Sequence, residues 1–464
     1  MTQLPNSLAA RDIAHVLHPY TNLVKHEKAG PLVIERGKGI YVYDDQGREY
    51  IEALAGLWCA GLGFEEPALV DAAIEQMRKL PFYHSFGHKS APVVIELAEK
   101  LKELSPVPVS KVFFVNSGSE ANDTQMKFIW YYNNAIGRPK KKTILSRQRG
   151  YHGVTIASAS LTGLPANHRA FDLPIAGVKH VDCPHYYRNA LPGESEAEFT
   201  ARLASNLEEF IQREGPETVA AFFAEPVMGA GGVIVPPAGY FPAIQAVLKR
   251  HDILSVSDEV ICGFGRTGNV WGAQTLDYQP DMISCAKQLS SAYLPIAACM
   301  ISEPVYEAIR DQSGTIGTFG HGFTYGGHPV SAAVALRTLQ LYEERKIYDH
   351  VAMVSPRFQA RLKRLADHPL VGEARGIGLI GAVELVADKA SRRNFDPAKA
   401  VGATCAAFSQ EEGLIHRALA GDALAFCPPM IITEAEIDEM FDRFERALAK
   451  TEAWIAREGL RNAA

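Results

Sequence analysis

The chain lacks several features that would place it quickly, and each absence removes a class of protein. Its seven cysteines (Cys59, Cys183, Cys262, Cys285, Cys299, Cys405 and Cys427) are scattered, odd in number and nowhere spaced as Cys-x-x-Cys. That argues against a disulfide framework and against a zinc ribbon. No apolar run is long enough to span a bilayer, and residues 1–11 are polar, without the apolar core of a secretion signal. A net charge of -6 gives no reason to expect nucleic acid or an anionic membrane surface as partner. Neither an internal repeat nor a low-complexity segment is present. No metal set stands out either: His84 and His88 share helical spacing, but Pro81, Ser85 and Gly87 work against a helix there. Asp182-Cys183-Pro184-His185 reads as a loop rather than a ligand set. A reduced, cytoplasmic setting is the expectation.

What is present is a chain of 464 residues, too long for one simple core, with 47% hydrophobic and 22% charged residues, as in ordinary globular proteins. Short β-rich runs alternate with helical stretches through the middle, which predicts a mostly parallel α/β sheet. Strands are expected over 111–115, 142–145, 178–181, 220–224, 253–257, 282–286 and 296–301, and helices over 120–136, 196–214, 241–250 and 330–345. Beyond residue 353 the pattern changes to α+β, with a terminal helix from Glu434. Residues 39–52 give a hairpin signal around Asp44-Asp45-Gln46-Gly47. The expected division is an N-terminal segment (1–60) packing with the small domain, a large domain (61–345) and a small C-terminal domain (346–464).

Three short stretches carry the chemistry. Asn116-Ser117-Gly118-Ser119 follows the first strand of the middle region and opens a helix. Glycine there lets the backbone approach an anion, and the free amides of a first helical turn point at it. Simple capping by a serine accounts for the same residues. Asp258 ends a strand, where α/β sheets face their ligand crevice, and a carboxylate there can hold a pyridine nitrogen protonated. A helix cap or a metal ligand are the alternatives. Lys287 leaves another apolar strand; if desolvated, its amine has a lowered pKa and can form a Schiff base. A solvated strand-end lysine is the commoner case, so the combination carries the argument. A phosphate cradle, a buried acid and a strand-end amine together suit pyridoxal 5'-phosphate (PLP). Tyr151, in Tyr151-His152-Gly153, could stack on a flat heterocycle, and Glu225 is a further strand-end acid. Two Gly-x-Gly-x-x-Gly matches, at 263–268 and 376–381, lack the helix that a dinucleotide site needs.

These motifs, together with Asp258-Glu259-Val260-Ile261-Cys262-Gly263-Phe264-Gly265-Arg266-Thr267-Gly268 and a match running from Pro31 to Pro429, resemble the class III (ω-) PLP-dependent aminotransferases of fold type I. The resemblance is narrower to bacterial amine:pyruvate and ω-amino acid:pyruvate transaminases. It implies that Lys287 bonds the cofactor and shuttles the proton, and that Asp258 binds the pyridine nitrogen. Tyr151 and Ile261 would cover the two ring faces. Ser117, Gly118 and Ser119 would hold the phosphate, with Thr324 reaching it from a neighbouring subunit, and Glu225 would support the site. It further implies a substrate pocket of Tyr20, Leu57, Trp58, Phe86 and Tyr151, Phe86 coming from the other subunit, and Arg417 as the grip on a substrate carboxylate. The expected assembly is a homodimer, or a tetramer, with shared active sites. The expected substrates are a small amine and a keto acid; another class III chemistry, such as 4-aminobutyrate or ornithine transamination, aminomutation or dialkylglycine decarboxylation, is the rival. Gln288 departs from the family, which commonly has glycine there.

Overall fold

The computed structural model describes residues 6–461, so residues 1–5 of the polar opening stretch lie outside it. Its strands are β1 (Ile34–Lys38), β2 (Tyr41–Asp44), β3 (Glu49–Glu52), β4 (Lys111–Val115), β5 (Thr143–Arg147), β6 (Val178–Val181), β7 (Val219–Ala224) and β8 (Leu254–Asp258). They continue with β9 (Met282–Cys285), β10 (Ala297–Ile301), β11 (Val371–Ile377), β12 (Ile380–Leu385), β13 (Leu414–Ile415), β14 (Arg417–Leu419) and β15 (Ala423–Phe426). The central sheet has seven strands in the order β4-β10-β9-β8-β7-β5-β6. Only β10 is reversed, pairing antiparallel with β4 and β9, so the other strands deliver their carboxyl ends to one edge. Strands β7, β9 and β10 are buried along their whole length. They are continuous apolar runs rather than alternating ones because helices cover both faces of the sheet.

The expected strands of this sheet are all present, with ends shifted by one or two residues. Two shifts matter for the site. The helix expected from residue 120 starts at Gly118, because Ser117 caps it by accepting from the Glu120 amide at 3.2 Å. Ala286, expected inside a strand, has already left β9, and Lys287 opens a single 3-10 turn with a left-handed φ of 50°.

A second sheet, β11-β12-β15-β14, is antiparallel, and the glycine run 376–381 is its first hairpin rather than a nucleotide loop. The third sheet, β1-β2-β3-β13, joins the two ends of the chain: β13 pairs parallel with β3, Leu414 opposite Ile51. No helix forms around His84 and His88.

Candidate active site

At the edge where the parallel strands end lies a cavity of about 400 Å3, lined among others by Ser117, Ser119, Tyr151, Glu225, Asp258 and Lys287. One end is built by the turn after β4. Glu120 folds back to accept from the Asn116 amide (2.7 Å) and side chain (2.9 Å), fixing the loop ahead of the helix Gly118–Ala135. Ser119 Oγ accepts from the Val154 amide at 3.1 Å, which draws the loop after Tyr151 against the helix start. That approach requires Gly153: at its φ of 132° an added Cβ would lie 2.4 Å from Ser158 Oγ and 2.5 Å from Ser119 Oγ. The result is an exposed helix N-terminus with hydroxyls beside it, a form suited to an anion.

The other end is acidic and buried. Asp258 closes β8 and is 3% exposed. Its Oδ2 accepts from Asn122 Nδ2 (2.7 Å) and His152 Nδ1 (2.8 Å), and its Oδ1 from the Val260 amide (3.1 Å). Glu225, just beyond β7, accepts from the amides of Tyr151 and Gly229, each at 2.9 Å. Burial raises its pKa, opposed by His152 and reinforced by Asp258. His152 and Asn122 were not assigned roles from sequence. The signal for both was weak: each sits next to a motif residue, and only the fold brings them to Asp258.

Lys287 lies between these ends. Burial lowers its pKa, while the charges of Asp258 and neighbouring groups partly oppose that shift. The unprotonated amine is the nucleophilic form. Ile261 lines the cavity but packs its Cδ1 against Gly229, where an added Cβ would be 2.4 Å away. Val260, also in the lining, stands beside Gly118 and was overlooked in the sequence. Gln288 points away from the cavity, donating to the carbonyls of Ile261 (3.3 Å) and Gly263 (3.2 Å). The departure from glycine therefore ties the lysine turn to the β8 loop.

Arg417 begins β14 and lies between two aromatic rings, its Cζ 5.7 Å from the Tyr20 centroid and 5.5 Å from that of Trp58. No carboxylate pairs with it among the described residues. Tyr151, in the cavity lining, feels this group: burial and the neighbouring Tyr20 raise its pKa, and Arg417 opposes them. Leu57 lines the cavity, whereas Trp58 is buried and does not. Phe86 and Thr324 do not reach this cavity. Phe86 packs against Gly322 in a separate groove, and Thr324 is exposed.

The turn that carries Leu57 and Trp58 is strained. Ala55, Gly56 and Trp58 all have positive φ, at 48°, 69° and 58°. Such a turn persists only where its surroundings hold it, and Glu52 does so from the end of β3, accepting from the amides of Leu54 (3.3 Å) and Gly56. Burial pushes the Glu52 pKa up to about 7, against the backbone donors that lower it. A carboxyl whose folded pKa exceeds its unfolded value of 4.5 gives stability that is complete below that value and lost as pH rises through about 7. Glu52→Gln removes this titration. The stability difference between variant and wild type should therefore shift in the variant's favour by up to about 1.4 kcal/mol per pH unit between pH 5 and 7. Denaturant melts across that range measure it; a pH-independent difference would contradict it.

The aminotransferase class III family profile matches residues 23–448. A tomato (Solanum lycopersicum) protein named mitochondrial gamma aminobutyrate transaminase 1 is 52% identical over 438 residues, covering 94% of this chain and 85% of the relative. An omega transaminase from Pseudomonas jessenii, solved in complex with PMP, has a TM-score of 0.95 and 57% identity, covering 97% of this chain and 99% of that one. A thermostable omega transaminase, PjTA-R6 variant W58M/F86L/R417L, engineered for asymmetric synthesis of enantiopure bulky amines, has a TM-score of 0.96 and 57% identity over 97% of this chain and 100% of that one. The residues present here fit PLP. An anion cradle too tight for a Cβ at Gly153, a carboxylate held by its own donors and a desolvated amine meet the cofactor's phosphate, ring nitrogen and aldehyde separately. Family profile, fold and site agree, and the chain belongs to the class III aminotransferases, PLP-dependent transaminases of fold type I.

Proposed function

We propose that this transaminase moves an amino group from a primary amine or ω-amino acid to pyruvate, giving a ketone or aldehyde and L-alanine in a ping-pong cycle. Bound PLP supplies the aldehyde and an electron-accepting ring. The chain's own groups do the rest. Lys287 Nζ would hold the cofactor's aldehyde carbon and, as a free amine, would take the proton beside the substrate nitrogen and return it, as base and then acid. Asp258 keeps the ring nitrogen protonated, held in place by Asn122 and His152. Ser117, Gly118 and Ser119 would bind the phosphate, Tyr151 and Ile261 would border the ring, and Glu225 supports the Tyr151 loop. Thr324 and Phe86, which stand away from the cavity of their own chain, serve the site of a second copy in a homodimer.

The observation that carries the substrate reading is Arg417, a cation between Tyr20 and Trp58 with no described carboxylate partner. Such a guanidinium can take a keto-acid carboxylate through paired hydrogen bonds and return to its aromatic seat for an uncharged amine. The substituted positions of the engineered neighbour carry the residue types and numbers of Trp58, Phe86 and Arg417. Arg417→Ala should lower kcat/KM for pyruvate about 100-fold, as loss of a charge-assisted pair does. The kcat/KM for 1-phenylethylamine should fall far less. Equal losses in the two half-reactions would refute the assignment.

A second reading, transamination of 4-aminobutyrate, is favoured by the names of the curated relatives. That donor has one carboxylate, which Arg417 could also hold. Loss of the yellow colour with 4-aminobutyrate and not with either enantiomer of 1-phenylethylamine would select it.

A further inference from the structure

Away from the cavity, two clusters bring metal-binding atoms together, and they differ in how their charge is met. His185, Glu373 and Glu384 converge beneath the loop after β6. There Arg375 pairs with both carboxylates, 2.8 Å from Glu384, and Arg188 pairs with Glu384 at 2.5 Å, so the negative charge is already matched. Asp12, His18 and His26 form the other cluster. No lysine or arginine among the described residues pairs with Asp12. His18 Nε2 is 2.8 Å and His26 Nε2 is 3.2 Å from the same oxygen, Asp12 Oδ1. The two imidazoles stand side by side, centroids 4.1 Å apart and planes 39° apart. All three ligand atoms lie within 4.8 Å of one another.

We propose that Asp12, His18 and His26 form a site for a divalent transition-metal cation of the Zn2+ type. Two imidazoles and one carboxylate suit such borderline cations better than Mg2+ or Ca2+, which want oxygen. Ligand atoms at about 2.0–2.1 Å from a tetrahedral centre stand about 3.3 Å apart, so the two imidazole–carboxylate distances need to open by about 0.5 Å or less. The side chains are 9–27% exposed, which leaves a fourth position to water.

The site has structural work to do. Asp12 lies on the helix Leu8–His15 and His26 on the helix Leu23–Ala29, of 8 and 7 residues, and neither buries a single residue. Helices this short are marginal without tertiary support, and apolar packing does not provide it here. A cation would clasp the two and fix both ends of the segment between them. That segment carries Tyr20, at a left-handed φ of 51°, its hydroxyl accepting from Asn167 at 2.5 Å and its ring facing Arg417. Any effect on substrate selection rests on the pocket reading above; the metal site does not.

The test uses the holoenzyme, dialysed against chelator and then titrated with Co2+. Wild type should bind one equivalent per chain, with visible ligand-field bands that Zn2+ abolishes and Mg2+ does not. The double variant His18→Ala/His26→Ala should lose affinity by at least about 100-fold, while His88→Ala, an exposed histidine elsewhere, should bind as wild type. Zn2+ should also slow proteolytic cleavage within residues 16–22 in wild type and not in the double variant. Because no residue of these helices is fully buried, the variants should fold normally, which thermal melts verify. Equal Co2+ affinity in wild type and double variant, or no uptake by wild type at millimolar Co2+, would overturn the proposal.

Discussion

Lys287→Ala is expected to yield a folded protein that still takes up PLP, without a covalent bond, and that has lost multiple-turnover transamination by at least about 10,000-fold. Positioned acid–base groups contribute about 100- to 10,000-fold on their own, and in the proposed role this amine is also the covalent anchor. The structure offers no understudy. Among the other titratable side chains of the lining, burial raises the pKa of Tyr151 and of Cys59, Glu225 is occupied by the amides of Tyr151 and Gly229, and Asp258 and His152 are bonded to each other. The fold should tolerate the change. The amine is desolvated by burial, which lowers its pKa, and removing it relieves that penalty. Alanine at φ 50° is no more strained than lysine. Asp258 keeps its three donors from Asn122, His152 and Val260. Thermal melts, cofactor content and steady-state rates give the three readouts. Turnover within tenfold of wild type would end the assignment of Lys287.

The parts of this site that could be read from the sequence are those where one strand end carries its own chemistry. β4 running into Asn116–Ser119, β8 ending at Asp258 and β9 leading to Lys287 are each a β-rich run whose last residues are buried and which stops at or just before a candidate site residue. A sheet whose strands point one way must collect such ends at a single edge. What could not be read depends on long-range closure. Asp258 meets Asn122 and His152 across 136 and 106 residues of chain. The seat of Arg417 combines Tyr20, Trp58 and β14, three segments without a shared local pattern. The turn at Ala55–Trp58 runs through left-handed conformations at alanine and tryptophan, residues that do not signal them, and Glu52 stabilises it through backbone donors that no spacing rule reveals. Phe86 and Thr324 belong to a further class: one chain alone does not bring them to its cavity, and the role proposed for them requires a second copy.

Asp258→Asn should lower kcat roughly 1,000-fold while leaving Lys287 able to bond the cofactor, so that the protein stays yellow. The substitution keeps the shape and removes the charge. A carboxylate at this depth, 3% exposed, acts in a low-dielectric setting where an opposite charge on the ring nitrogen is held far more firmly than in water. Losing one preorganised electrostatic partner of a transition state costs about 100- to 1,000-fold in comparable sites, and in the proposed role the partner also sets the protonation of the electron-accepting ring. The local hydrogen bonds predict a second, separable effect. An asparagine oxygen placed at Oδ2 still accepts from Asn122 and His152, but its NH2 then faces the Val260 amide, donor against donor. That clash should cost about 1–3 kcal/mol of stability. The stability loss moves Tm, and the charge loss moves kcat at saturating PLP with little change in cofactor content. Asp258→Glu, which keeps the charge and lengthens the arm, should therefore recover more activity than Asp258→Asn even if it is no more stable. An asparagine variant within tenfold of wild-type kcat, or a glutamate variant slower than the asparagine one, would show that the charge of Asp258 is not what the reaction uses.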